Sequence, residues 1–395
     1  MRLRLETAAG DSVEIEDGFI VAATVRPPTR QASFPPARSD ISRHPRAAAR
    51  DPDVVVQTGP GTLLPGLINA HDHLHRNHYP RLGSPPYEDA YAWGTDLHAR
   101  FAGEIAHAKT LDRRDALLFG ALKNILGGVT SVVHHDAWEP AFDDEFPIRV
   151  VRMRSAHSLG FDADGVAVLA QVDAGTRQQP FCIHLAEGVN ARAAGEVAAL
   201  RAHGLLDERL IAVHAVGVDA DGIDSLRAAG AAVVWCPTSN HFLLGRTAPR
   251  ALVANGLDIL LGTDALLTAD GTMLDELRAA AAAGYLDEHA LHAAVGSTAA
   301  CRLGMPEPSL RPGSHADLVL LRRPLLEATP RDVALVLVAG RPVLADPSLE
   351  TLFDAPSGRT GTIVVGGERK LIADPLADVA ARVVAHSPAC GRIFD

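Results

Sequence analysis

From residue 63 onward one unit recurs: a short apolar run that ends in polar residues, then a stretch rich in Ala and Leu. Such runs are strands buried on both faces and the stretches between them are covering helices, so the repeat calls for a parallel sheet with helices outside. Candidate strands are 65–70 (PGLINA), 129–134 (VTSVVH), 148–153 (IRVVRM), 181–185 (FCIHL), 210–215 (LIAVHA), 231–235 (AAVVW) and 258–263 (DILLGT). Candidate helices are 112–126, 191–205, 222–229, 275–284 and 287–302. An eighth strand is placed at 165–172 (GVAVLAQV), a segment that also fits a helix, and 154–180 is short for two strand–helix units.

A (β/α)8 barrel takes about 250 residues, and residues 63–310 supply that length. The flanks read differently. Short strand-like stretches at 1–24, 52–57, 315–321, 333–343 and 361–366 predict a small β-sandwich domain built from both chain ends, 1–62 and 311–395, with the barrel inserted between them and a closing helix near 375–383. Segment 26–50 has six arginines and five prolines and no periodic apolar face, and reads as a surface loop or a basic tether.

With a net charge of −11 and no stretch that combines basic density with aromatic residues, no nucleic-acid partner is expected. The N-terminal stretch carries acidic residues where a signal peptide needs an apolar core, and no run reaches the length of a membrane span; a cytoplasmic protein with no membrane partner is expected. Cys182, Cys236, Cys301 and Cys390 are far apart and have no CxxC spacing, which predicts free thiols.

Polar residues at the strand ends carry the chemistry. His71 and His73 follow LLPGLINA, and their i,i+2 relation puts both imidazoles on one face of an extended segment. His184 lies in FCIHLAEG, His214 in IAVHAVGV and Asp264 in ILLGTDAL, each at the C-terminal edge of a predicted strand. In a parallel barrel those edges share one mouth, where three imidazoles and a carboxylate suit zinc or another first-row dication such as iron. Glu187, three residues past His184, reaches the rim as a proton shuttle or caps the next helix. His214 orients the nucleophile or is itself a ligand. An ion there lowers the pKa of water and supplies hydroxide near neutral pH.

Together these segments resemble the amidohydrolase superfamily, in its cyclic-amidine deaminase and chlorohydrolase-like branch: PGLINAHDHLH, HLAE, VHAV, WCPTSNHFLLG, LLGTDA and GSHADLVLL, spanning roughly residues 60–321. The resemblance implies one divalent metal, zinc before iron, held by His71, His73, His184 and Asp264, with Glu187 and His214 catalytic and Ser239 and Asn240 bracing the pocket. Relatives with two metals often add a lysine on the fourth strand. No lysine occurs between Lys123 and Lys370, and Lys123 falls in the helical stretch before VTSVVH, so one metal is expected.

The activity implied is hydrolytic deamination of a small nitrogen heterocycle, an aminopurine, aminopyrimidine or related cyclic amidine, with Glu187 protonating the ring nitrogen and ammonia leaving. Lactam or cyclic-amide hydrolysis uses nearly the same groups and is the main rival, ahead of dechlorination; a barrel that uses its metal only structurally is the non-enzymatic alternative. The loop 75–98 holds Tyr79, Tyr87, Tyr91 and Trp93, rings that either stack on a flat ligand or anchor the loop itself. Arg76 could meet an anionic substrate group, and His134 and His135 either line the pocket or support the ligands. A homodimer is the general expectation for such enzymes.

Overall fold

The computed structural model describes residues 2–25, 51–171, 178–353 and 359–395; the Arg/Pro-rich segment 26–50 lies outside them. A four-stranded sheet comprises β1 (Arg2–Thr7), β2 (Ser12–Glu16), β3 (Phe19–Thr24) and β4 (Val54–Gly59) in the order β3-β2-β1-β4. Next come β5 (Thr62–Pro65) and eight short strands: β6 (Leu67–Asp72), β7 (Val129–His134), β8 (Arg149–Val151), β9 (Arg154–Ser158), β10 (Phe181–Leu185), β11 (Leu210–His214), β12 (Ala232–Trp235) and β13 (Asp258–Leu261). The C-terminal part adds β14 (Leu318–Leu321), β15 (Val333–Val338), β16 (Arg341–Ala345), β17 (Thr360–Val365) and β18 (Glu368–Ala373), which form a six-stranded antiparallel sheet with β5. Both chain ends thus contribute to the sandwich-like part.

The strands from β6 to β13 form two parallel sheets, β6-β7-β8 and β13-β12-β11-β10-β9, the walls of a distorted TIM-barrel-like core. Most of their residues are buried, and successive side chains join two different clusters. Ile211 and Val213 of β11 join an inner cluster with Ile68, Ala70, Cys182, Val234 and Leu260, whereas Leu210 and Ala212 pack outward with the helices.

The eighth strand is not at 165–172. Residues 165–170 of that segment belong to the helix Ala163–Ala170, whose buried Val166 and Leu169 have the i,i+3 spacing of a helix face, and residue 172 lies outside the described residues. Instead, β8 pairs in parallel with β7 and β9 in parallel with β10, with only Arg152 and Met153 between β8 and β9. A parallel crossover needs a dozen or more residues, so 149–158 is one advancing segment that leaves the first sheet and joins the second. No helix separates these two strands, which accounts for the short interval.

Two departures from regular strand geometry aim the site. Ile68 and Ala70 face the inner cluster, so strict alternation would send Asp72 inward; a register shift between Asn69 and Asp72 re-aims the end of β6. At the other seam, the amides of Thr263 and Asp264 both donate to the carbonyl of His71, at 3.0 Å each. Gly262 allows that approach, because a Cβ there would lie 2.6 Å from the Cβ of His71. No helix among the described residues is long and apolar enough to cross a membrane.

Candidate active site

Three imidazoles converge at the C-terminal ends of β6 and β10, and the partner of each Nδ1 decides what its Nε2 offers. His73 Nδ1 lies 2.6 Å from Asp136 Oδ2, so it carries the proton and donates. His184 Nδ1 donates to the backbone oxygen of His157 at 2.6 Å. The third ring is set by a relay: His135 Nε2 donates to the carbonyl of Ala156 at 2.9 Å, so its Nδ1 accepts from His71 Nδ1 at 3.2 Å. All three Nε2 atoms are therefore left as lone pairs.

Those lone pairs face one another. His73 Nε2 and His184 Nε2 are 3.4 Å apart with no proton to share, and Asp264 Oδ1 is 3.7 Å from His71 Nε2 and 3.8 Å from His73 Nε2. The buried His71 Nε2 has no hydrogen-bond partner. Burial lowers His184 and His135 well below the usual imidazole range; burial and then Arg76 lower His73. Neutral rings with convergent bases beside a carboxylate fit one divalent cation.

The remaining groups surround that point. Asp264, in a left-handed conformation (φ 54°), accepts from Ser239 Oγ at 2.8 Å and Thr268 Oγ1 at 3.0 Å through Oδ2, and from the Ala265 amide through Oδ1. His214 ends β11 on the outward parity of Ala212, and its φ of 74° breaks the alternation that would send it away. Backbone held there costs about 1–3 kcal/mol per residue and gathers at functional sites; Ala186, His214, Ala215 and Asp264 all share it. The Asn240 amide nitrogen donates to His214 Nδ1 at 2.8 Å, so His214 Nε2 carries the proton, 3.6 Å from Glu187 Oε1. Burial takes His214 down to about 3. Burial, followed by the charge of Asp264, pushes Glu187 well above the usual carboxylate range.

Two other candidates support the centre from outside it. His135 uses both nitrogens in the relay. Arg76 donates to Asp136 Oδ1 at 3.2 Å and to His75 Nε2 at 3.4 Å. One ring nitrogen each from His75 and His134 and a carboxylate oxygen of Asp136 make a second close group, within 4.8 Å of one another. Its chemistry is opposite. The Leu74 amide donates to His134 Nδ1 and Arg76 to His75 Nε2, so the orphaned nitrogens, His134 Nε2 and His75 Nδ1, are N–H donors beside a guanidinium.

Trp93 is anchored within its own loop. Its indole nitrogen donates to the Leu82 carbonyl at 3.0 Å, and the ring packs beside Val216 and Leu243. Its loop is tied to the turn that carries Glu187 and to Leu243 by three backbone bonds: Ala90 N to Glu187 O, Val189 N to Glu88 O, and Tyr87 N to Leu243 O. Sequence reasoning missed Glu196, which accepts from the Ala186 amide at 2.6 Å and from Tyr91 Oη at 2.7 Å, and so braces the turn between His184 and Glu187. Nothing at its position marks a helical glutamate as buried. The carbonyls of Ala156 and His157 were equally invisible, because a backbone oxygen carries no residue signature.

Residues 162–343 match the Amidohydrolase family. A 5-methylthioadenosine/S-adenosylhomocysteine deaminase of Haloquadratum walsbyi is 37% identical over 119 residues, 27% of this chain and 27% of its own length; the chain thus spans well under half of the curated relatives it matches. Among solved structures, an adenosine deaminase from Xanthomonas campestris with bound zinc superposes with a TM-score of 0.66 at 19% identity, over 98% of both chains. Atrazine chlorohydrolase from Arthrobacter aurescens TC1, complexed with zinc, gives 0.69 at 16% identity, over 98% of this chain and 100% of that one.

Proposed function

We propose, from the premise that the chain belongs to the amidohydrolase superfamily, that it is a metal-dependent hydrolytic deaminase of a small nitrogen heterocycle. The observation that carries this reading is the set of three proton-free Nε2 atoms facing Asp264, with an acidic proton carrier and an N–H donor alongside. Residues 66–310, read as a single (β/α)8-type barrel, hold the chemistry; the described parts of 1–65, with β5 paired to β14, and of 311–395 are the accessory sandwich. His71, His73, His184 and Asp264 would hold one ion, zinc by the match of its preference for imidazole and carboxylate donors. When bound, that ion supplies the Lewis acidity that brings the pKa of water to about 7.

The protein's own groups do the rest. Asp136, the His157 carbonyl and the Ala156–His135 relay keep the three rings in the ligating tautomer. His214, held by Asn240, points Nε2–H toward Glu187 and donates to the attacking oxygen. Glu187, whose burial favours the protonated carboxyl, delivers its proton to the ring nitrogen next to the amine-bearing carbon, then takes the proton of the hydroxyl added at that carbon and passes it to the amine, which departs as ammonia and leaves a ring carbonyl. The deaminases among the relatives support amine loss over ring opening.

The test is ammonia release by zinc-reconstituted protein across aminopurines, their nucleosides, aminopyrimidines and aminotriazines, with product mass recorded. One ammonia per turnover and a gain of about one mass unit are expected, which is amine-for-oxygen exchange by water. Ring opening in a companion lactam panel, with no ammonia from any amine, would overturn the reading.

A further inference from the structure

Lys123 lies in the helix Arg113–Leu126, whose residues from Ala116 onward are all buried, and its side chain is fully buried. A buried ammonium persists only where every proton finds an acceptor. Here there are three: Asp72 Oδ2 at 3.0 Å, Thr263 Oγ1 at 2.8 Å and the carbonyl of Asp264 at 2.8 Å. These acceptors belong to two different segments. Asp72 stands between His71 and His73 and is itself gripped by Asn124 at 2.7 Å, Asn77 at 2.9 Å and the Thr263 hydroxyl at 3.2 Å. Thr263 and Asp264 belong to the turn after β13. No strand ladder joins β6 to β13; that seam is crossed by the two amides on His71 O, by Asn69, and by this cation.

We propose that Lys123 is a positioning residue for the metal centre: its ammonium couples the strand that presents His71 and His73 to the turn that presents Asp264, and so sets the spacing between two arms of the ligand set. This rests on the reading that those residues hold an ion. Asp264 is then fixed from both sides, its carboxylate by Ser239 and Thr268 and its carbonyl by Lys123. An ion pair that served only to satisfy buried charge could be replaced by a neutral pair without consequence for the metal. One that sets ligand spacing could not.

The experiment therefore replaces the pair as a whole, Lys123→Met with Asp72→Asn, and uses cobalt(II) alone as the probe. The remote pair of buried Lys370 and half-buried Asp346, 2.6 Å apart, treated likewise with Lys370→Met and Asp346→Asn, is the control. Expected are a folded apo-protein by circular dichroism, cobalt bound about 10- to 100-fold more weakly, and a displaced visible absorption band, with the control pair leaving both unchanged. Wild-type affinity and band in the Lys123/Asp72 variant, or an equal displacement in the control, would overturn the proposal. If the wild-type chain binds no cobalt(II), it is the metal reading itself that falls. Should the double variant fail to fold, Thr263→Val decides: it removes one acceptor of the ammonium and keeps the ion pair, and a weaker site with a displaced band supports the proposal while an unaltered one refutes it.

Discussion

Two groups of side chains with nearly the same composition lie next to each other at one end of this fold, and only one suits a metal. His71 and His73 face Asp264, with His184 against His73; His75 and His134 face Asp136. In the first group every Nδ1 donates, so every Nε2 is a base. In the second, a backbone amide and a guanidinium donate to one nitrogen of each ring, so the other is an N–H. Composition and proximity are shared. What separates the groups is the partner on the far side of each ring, which selects the tautomer. Asp136 joins them, accepting from His73 with one oxygen and from Arg76 with the other.

Glu187→Gln gives the largest expected effect. The amide cannot carry the proton, so kcat should fall about 10²- to 10⁴-fold while metal content stays at one per chain; full activity in this variant would remove Glu187 from the reaction. Asp136→Asn comes next. Burial alone would push this carboxyl up, but His73 and Arg76 outweigh burial and hold it ionised, and an asparagine that turns its amide toward His73 would reverse the ring's tautomer. Metal affinity should drop about 10- to 100-fold, measured by competition with a chelator, and an unchanged affinity would break the tautomer argument.

A smaller effect concerns a carboxylate outside both groups. Glu276 is fully buried, accepts from the Thr238 amide and hydroxyl, and is pushed by burial up to about 8. A folded-state value above the ordinary one means that the native protein binds the proton more tightly. The associated stability is complete below the ordinary carboxylate range and is lost as pH rises through about 8. Thermal melts should show stability declining across that interval, and Glu276→Gln should flatten the decline; an equal slope in the variant would assign the pH dependence elsewhere. The smallest expected change is none. His75→Asn and His134→Asn should leave one metal per chain with unaltered affinity, whereas a wild-type content of two that fell to one would erase the contrast between the two groups.

Much of this was legible in the residue pattern. The strand-end positions of His71, His73, His184, His214 and Asp264, and Glu187 just past a strand, all follow from where apolar runs stop, and the structure brings these six side chains to one place. The alternation of strands and helices was readable because buried parallel strands are nearly all Val, Ile, Leu and Ala. GVAVLAQV was not, since its apolar residues satisfy both periods and only the packing of Val166 and Leu169 chooses the helix. Lys123 was placed in a helix by its sequence context, but nothing there announces that helix as buried almost throughout. The tautomers were beyond reach altogether, because two of the three depend on backbone carbonyls brought in from a distant strand.

That strand is β9, in the stretch where the helix between neighbouring strands is missing. Ala156 and His157 are consecutive in it, and their two carbonyls stand behind His135 and His184. Adjacent carbonyls of a strand point in opposite directions, and a slip of one residue turns every group over. The pairing register of β9 on β10 is thus a protonation code: it decides, through two oxygen atoms that no substitution can delete, which face of His184 and, by way of His135, of His71 is a base. Inserting one residue between β8 and β9 would rewrite that code without altering a single side chain of the site.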